Sequence, residues 1–124
     1  MDFTLTDEQR EMVDAVRKVR HKVLAPNAIK WLNGDFPYAS MQALADIGVL
    51  GMAVPVEYGG MNASVLDTVL VLEEIGKACY ATALAALGEI GVQARILGNY
   101  APEHIKRKFL PKVADGTGIL AICL

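Results

Sequence analysis

The sequence predicts an all-α protein, a helical bundle with one β-strand attached at its C-terminus. Two observations lead to this fold class. Apolar residues recur at helical spacing in successive stretches that are separated by glycine and proline. The last residues, "GTGILAICL", instead form a short apolar run after Gly118, which is typical of a strand. A lone strand has no hydrogen-bonding partner, so we expect it to join a sheet that this chain does not supply.

The ends of the first two helices are marked by capping residues. Thr6 is a good N-cap, and Gln9 completes a capping box with it. Pro26 limits how far this first helix is expected to run. Pro37 suits the first turn of a second helix, and Gly48 is its expected C-cap. The segment "GVLGMAVPVEYGGMN" that follows is rich in glycine, so we expect a loop whose apolar residues pack against the helices.

The later helices are more apolar. Ser64 and Asp67 form a capping box for a third helix, and its apolar residues cover over half of the circumference, which predicts burial on most sides. A fourth helix, with a possible start at Thr82, carries no charge before Glu89 and is also expected to be central. Pro111 is expected to break or restart the last helical segment.

Composition limits the classes of function. The chain has 124 residues, 53% hydrophobic and 21% charged, which fits one soluble globular domain. The net charge of −2 and the absence of a basic patch argue against nucleic acid as a partner. No apolar run is long enough to span a membrane. Cys79 and Cys123 are expected to be free thiols, so we predict a cytoplasmic protein, or a mitochondrial matrix protein in a eukaryote.

No catalytic or metal-binding constellation is apparent. His21 and His104 lie on separate polar helix faces, and no nucleophile elbow or phosphate-binding loop is present. We therefore predict no catalytic residue and no metal site. Four carboxylates are poor candidates for a general base because each has a surface or helix-face explanation: Glu57, Glu73, Glu74 and Glu89.

The fourth helix contains the least expected residues. Gly88 and Gly91 lie inside it, and each costs about 0.5–1 kcal/mol relative to alanine. Close packing of helices explains them, and so does space left for a ligand. One stripe of this helix carries Leu84, Gly88, Gly91 and Arg95, and another carries Thr82, Glu89 and Gln93. Arg95 either reaches solvent or a carboxylate, or meets a polar group of a ligand.

Four segments, in order, resemble the N-terminal helical domain of the acyl-CoA dehydrogenases. The opening "FTLTDEQREMVDAVRKV" is similar to the first helix of that family. The loop "IGVLGMAVPVEYGGMNAS" resembles the family string "LG(L/V)LG…VP…YGG". "PEHIKRKFLPKVADGT" resembles "PEQKxxxLPxLAxGE", and "GILAICL" resembles the strand that follows it. Tyr100 and Ala101 depart from the Gly-Ser/Thr pair that usually precedes "PE".

The resemblance implies an explanation for the final strand. In the family it is the first strand of a middle β-domain and leads into the flavin-binding motif "TEPxAGSD". The chain stops at Leu124, before that motif, so we expect residues 1–117 to be the helical domain and residues 118–124 the first strand of a truncated β-domain. The C-terminal domain that carries the catalytic glutamate is expected to be absent too.

The resemblance also implies a function and site residues. The reaction is α,β-dehydrogenation of an acyl-CoA thioester, with FAD as cofactor, an electron-transfer flavoprotein as the usual acceptor, and a homo-oligomeric full-length protein. The fourth helix lines the acyl cavity in the family, which implies these substrate-binding residues: Leu84, Leu87, Gly88, Gly91, Val92 and Arg95. Ile122 and Leu124 match strand positions whose backbone lies near the flavin ring. The chain alone is expected to be inactive.

Two other functions stay open at this point. The chain is a non-catalytic helical binding module if a partner polypeptide supplies the flavin domain. It is a generic interaction domain if it has no link to flavin, although such a domain has no use for the terminal strand. A related flavin oxidase or hydroxylase would share the same helical domain.

Overall fold

The computed structural model describes residues 4–123. Its α-helices are α1 (Asp7–Val19), α2 (Ala25–Asn27), α3 (Tyr38–Asp46), α4 (Val65–Gly76), α5 (Tyr80–Ala86), α6 (Ala94–Tyr100) and α7 (Glu103–Ala114). Wider π-helical turns, Arg20–Leu24 and Leu87–Gln93, connect α1 to α2 and α5 to α6. Tighter 3-10 turns span Ala28–Asn33, Val49–Gly51 and Val56–Tyr58. The predicted all-α fold class is confirmed.

The first helical run is longer than predicted. The Thr6–Gln9 capping box is present and opens α1 as expected. Pro26 does not end the run, because the π-helical turn intervenes and Pro26 falls in the first turn of α2. The proline has no N–H to donate, and the wider turn before it, in which the Ala25 N–H donates to the Arg20 carbonyl, lets the helical run continue. The helical conformation ends only at Gly34, whose φ is +91°.

The loop between α3 and α4 forms part of the core, as predicted. Leu50, Met52 and Val54 are buried, and the chain folds back so that the Ala63 N–H donates to the Met52 carbonyl at 2.7 Å. At Gly60 the two passes of the loop come so close that a Cβ atom would lie 2.0 Å from the carbonyl oxygen of Val54. Only glycine fits this crossing without moving the backbone.

The expectation that α4 is buried on most sides is wrong. Its predicted capping box, Ser64 with Asp67, is present. Val71 and Ile75 are fully buried against α1 and α5, but the opposite side is open. Within residues 4–123, helices cover only one side of α4. Three apolar side chains are therefore more than half exposed: Val65, Leu66 and Val69.

A single helical run spans residues 80–100 and has one core-facing side. It begins at Tyr80, two residues before the predicted start, because the Cys79 thiol accepts hydrogen bonds from the N–H and the hydroxyl of Thr82. The fully buried residues follow one another at a spacing of four: Thr82, Ala86, Ile90 and Ala94. The expectation of a central helix is therefore correct for this side alone.

The last two elements differ from expectation. Helix α7 continues through Pro111 to Ala114, so the expected break is absent. Pro111 lies in the final turn, and its missing N–H removes one i→i−4 hydrogen bond from the helix. Residues 118–123 form no strand, since the described residues offer no strand to pair with. Leu124 lies outside the described residues. Within the described range, no helix is long and apolar enough to cross a membrane.

Candidate functional site

The predicted substrate-binding residues lie on the side of the residue 80–100 helix that faces away from the core. Leu84, Leu87 and Val92 are 53%, 42% and 38% exposed. Gly88 and Gly91, between them on the same side, are half-buried. The structure therefore brings these five residues together as an open apolar surface.

The two glycines in this surface do not serve close packing between helices. A Cβ atom at Gly91 would meet only the Leu87 side chain, at 2.8 Å from Cδ1. A Cβ atom at Gly88 would come within 3.0 Å of Oε1 of Gln93. Both contacts are with side chains of the same helical run, so the glycines leave room beside that helix and do not admit a second one.

Arg95 has protein partners. Its Nη2 atom donates to the Thr68 hydroxyl at 2.8 Å and to the carbonyl oxygens of Ala63 and Ser64, both at 3.2 Å. These bonds attach α6 to the start of α4. Arg95 is thus half-buried in a packing contact, and two of the roles that its position suggested, a solvent-facing cation and a partner for a carboxylate, do not describe it.

Glu89 was wrongly interpreted as a surface or helix-face carboxylate. It is 2% exposed, and its Oε1 atom accepts a hydrogen bond from the Leu120 N–H at 2.7 Å. Burial raises the pKa of Glu89 above its usual range, and the hydrogen bond from Leu120 only partly opposes this. The signal in the sequence was a single charge on an otherwise uncharged helix, on a stripe with Thr82 and Gln93.

Gln93 completes the contact with the C-terminal segment. Its Nε2 atom donates to the Leu120 carbonyl oxygen at 3.3 Å. Beyond that residue the chain is exposed: Ile122, predicted to approach the flavin, is 46% exposed and lies at the edge of the bundle. Leu124, the second predicted cofactor contact, falls outside the described residues.

Two cavities lie elsewhere on the surface. A cavity of about 480 Å³ lies between the N-termini of α1 and α4 and is lined by Met12, Val49 and Met61 among others. A shallower depression of about 360 Å³ is lined by Trp31, Phe36 and Leu84. Leu84 is the one predicted site residue that lines either of these two cavities, and Leu87 and Val92 lie on the open surface described above.

The other three carboxylates considered as a general base are either paired with cations or exposed to solvent. Glu74 is buried, not on the surface, and pairs with Arg20, Lys77 and Arg17. Burial alone would raise the pKa of Glu74, but the Lys77 hydrogen bond and the three cations lower it overall. Glu57 and Glu73 are exposed. Within residues 4–123, no cluster of His, Cys, Asp and Glu is placed to hold a metal ion.

Comparison with known proteins identifies the family. Residues 6–117 match the family model described as "Acyl-CoA dehydrogenase, N-terminal domain". The chain is 36% identical over 117 residues to a cyclohex-1-ene-1-carbonyl-CoA dehydrogenase of Syntrophus aciditrophicus, covering 94% of this chain and 28% of that protein. It is 38% identical over 95 residues to a 3-sulfinopropanoyl-CoA desulfinase of Paraburkholderia xenovorans, covering 76% and 23%.

The fold agrees with this assignment. The structure of butyryl-CoA dehydrogenase from Megasphaera elsdenii superposes with a TM-score of 0.84 at 27% identity, covering 96% of this chain and 32% of that one. The chain thus spans about a third or less of the length of these relatives. The chain belongs to the acyl-CoA dehydrogenase family, in which it corresponds to the N-terminal helical domain.

Proposed function

We propose that this chain is the N-terminal part of an FAD-dependent enzyme that dehydrogenates an acyl-CoA thioester, and that it forms one wall of the acyl pocket. The observation that carries the proposal is the open apolar side of the residue 80–100 helix, in a chain whose residues 6–117 match the family. An apolar helix face left uncovered marks a surface for a ligand or another domain. The proposed wall consists of Leu84, Leu87, Gly88, Gly91, Val92 and Arg95.

The proposed wall shapes the acyl pocket and keeps water out of it. Apolar side chains that cover one side of an acyl chain exclude water and hold its Cα and Cβ atoms in one orientation, on which the alignment of both C–H bonds depends. Bound FAD would supply the acceptor for the hydride that leaves the β-carbon. Glu74 is paired with three cations, and Oε1 of Glu89 accepts a hydrogen bond from Leu120. We propose that the base that removes the α-proton lies outside these residues, as in the acyl-CoA dehydrogenases, whose C-terminal domain carries a glutamate base.

Residues 121–123 are proposed to form one edge of the flavin site. Leu120, directly before this segment, is hydrogen-bonded to the bundle, and Ile122 and its neighbours are exposed. Exposed main-chain N–H and C=O groups fit the polar edge of a flavin ring as well as they fit a neighbouring strand. Ile122, and Leu124 beyond it, are the proposed contacts.

The proposed substrate is an acyl-CoA thioester as a class, with no particular acyl group assigned. Two similar proteins are named for a cyclic and a sulfur-containing acyl-CoA, so the family's N-terminal domain accompanies different acyl groups. We propose an electron-transfer flavoprotein as the acceptor, a homo-oligomeric full-length enzyme, and a cytoplasmic or mitochondrial-matrix location.

The test is to express the protein from its natural reading frame and purify it. The proposal expects a yellow protein with flavin absorbance near 450 nm that is bleached anaerobically by at least one member of a panel of linear, branched and cyclic acyl-CoA thioesters. A flavin-bound protein that no acyl-CoA reduces would contradict the substrate class. A colourless 13.3 kDa product would contradict the enzyme proposal and favour a binding module whose flavin domain comes from a partner.

A further inference from the structure

Glu89 and Gln93 together hold the peptide groups of a single residue, Leu120. Glu89 accepts from the Leu120 N–H at 2.7 Å, and Gln93 donates to the Leu120 carbonyl at 3.3 Å. In an antiparallel sheet a residue exchanges both of these bonds with one residue of the neighbouring strand. Here two side chains, one helical turn apart, occupy the place of that strand.

The bonds at Leu120, together with a contact at Gly118, fix both the location and the register of the C-terminal segment, residues 118–123. The Gly118 N–H donates to the Lys112 carbonyl at 2.8 Å, and a Cβ atom at Gly118 would lie 2.9 Å from Cβ of Lys112. The Leu120 side chain packs against the core. The segment is therefore held at two points two residues apart. A slip by one residue would turn each following side chain to the opposite face.

A buried glutamate at position 89 is energetically unfavourable if its side chain only fills space in the core. It is 2% exposed, and its Oε2 atom has no hydrogen-bond partner within the described part of the chain. Burying a carboxyl group with an unpaired oxygen is unfavourable, and a leucine in the same space would avoid that cost. What an apolar side chain cannot supply is an acceptor for the Leu120 N–H.

The π-helical turn Leu87–Gln93 contains both side chains. Such turns interrupt the regular spacing of an α-helix and occur frequently at functional sites. Gly88 belongs to the same arrangement, because a Cβ atom there would lie 3.0 Å from Oε1 of Gln93. The glycine leaves the Gln93 side chain the space it needs to reach Leu120.

We propose that Glu89 and Gln93 are positioning residues, which set the register in which residues 121–123 leave the helical domain and so orient that backbone toward the flavin. This inference rests on the proposed function, since it assigns the segment to the flavin site. Neither side chain touches the flavin; both act through Leu120.

The first test measures amide hydrogen exchange by NMR in the 124-residue chain. The Leu110 amide in α7 serves as the internal reference. Glu89→Leu is expected to speed amide exchange at Leu120 about tenfold, which corresponds to the free energy of one lost hydrogen bond. Glu89→Gln keeps an acceptor oxygen and should stay within about twofold of wild type. Glu11→Gln, at an exposed position on α1, is the matched control. An unchanged Leu120 to Leu110 ratio in Glu89→Leu would show that the contact does not hold the segment.

The second test uses the protein expressed from its natural reading frame and measures FAD affinity and the visible flavin spectrum. Glu89→Leu and Gln93→Leu each remove one hydrogen bond to Leu120, and we expect each to weaken FAD binding about fivefold. Both variants should also shift the flavin bands, and Glu89→Gln should stay close to wild type. Equal FAD affinity and spectra in wild type and Glu89→Leu would overturn the positioning role and leave the proposed function standing. A wild-type protein that binds no FAD would overturn both.

Discussion

The Glu74 carboxylate lies 2.9 Å from the Arg20 guanidinium, so a buried charge on α4 is neutralised by a cation from the turn that follows α1. Glu74 is 3% exposed, and Lys77 and Arg17 also approach it, at 2.7 and 3.5 Å. Apolar packing between α1 and α4 is not specific for one axial position. The charge cluster selects one, because a shift of α4 along α1 would separate the buried Glu74 from Arg17 and Arg20.

Replacing Glu74 should therefore destabilise the fold. Glu74→Ala removes the centre of the cluster, and we expect it to lower the free energy of unfolding by about 2 kcal/mol, less than for a fully buried pair because Arg17 and Lys77 reach solvent. Glu73→Ala is the matched control: Glu73 pairs with the same Lys77 at 3.0 Å but is exposed, and its loss should cost under about 0.5 kcal/mol. Urea unfolding measures both. Equal midpoints for the two variants would contradict the cluster's role.

Glu89 should make stability fall as the pH rises. Burial raises the pKa of Glu89 in the folded state, so the folded protein binds this proton more tightly than the unfolded chain. Its contribution is fully present below the ordinary glutamate pKa of about 4.3 and is lost as the pH rises through the folded-state pKa. Urea unfolding of wild type and Glu89→Gln between pH 4 and 7 measures the difference. We expect Glu89→Gln to gain stability relative to wild type across this range; a constant difference would show that Glu89 does not titrate.

Gly60 should tolerate no side chain. Gly60→Ala places a Cβ atom 2.0 Å from the Val54 carbonyl oxygen and forces the two passes of the loop apart, which we expect to cost about 3 kcal/mol. Gly76→Ala serves as the control, since its Cβ would meet Ala83 at an ordinary 3.9 Å and alanine favours the helix by up to about 1 kcal/mol. Thermal unfolding should move the two melting temperatures in opposite directions. A Gly60→Ala variant as stable as wild type would mean that the loop crossing is looser than described.

The exposed face of the residue 80–100 helix should matter for substrate and little for folding. Leu87→Asn and Val92→Asn alter side chains that are already partly in solvent, so we expect changes below about 1 kcal/mol in the unfolding of the 124-residue chain. Ile90→Asn, on the fully buried side, should cost about 3 kcal/mol or more. A large loss of stability in Leu87→Asn or Val92→Asn would assign these residues to packing within this domain.

The local features that the sequence predicted correctly are those that neighbouring residues determine. The Thr6 and Ser64 caps form because each oxygen bonds an N–H three residues away in the same helix. The proline predictions were wrong for a related reason. Pro26 and Pro111 fall in the first and last turns of their helices, and composition alone does not show where those turns lie.

Features that depend on distant contacts were predicted less well. The sequence predicts a surface or helix-face position for Glu89, because nothing in its own helix indicates its hydrogen-bond partner Leu120, 31 positions later in the chain. Arg95 was given no role at the start of α4 because nothing in its own helix indicates Thr68 as a partner. The exposure of Leu66 follows from which helices cover α4, and a hydrophobic pattern does not specify that.

The most direct measurement maps the contact of the acyl chain on the protein expressed from its natural reading frame. An acyl-CoA with a diazirine in its acyl chain is bound in the dark, irradiated and located by mass spectrometry, with excess unlabelled acyl-CoA as the competition control. The account predicts competed labelling between residues 84 and 95, at Leu84, Leu87 or Val92. Competed labelling that lies wholly outside the residue 80–100 helix would contradict it.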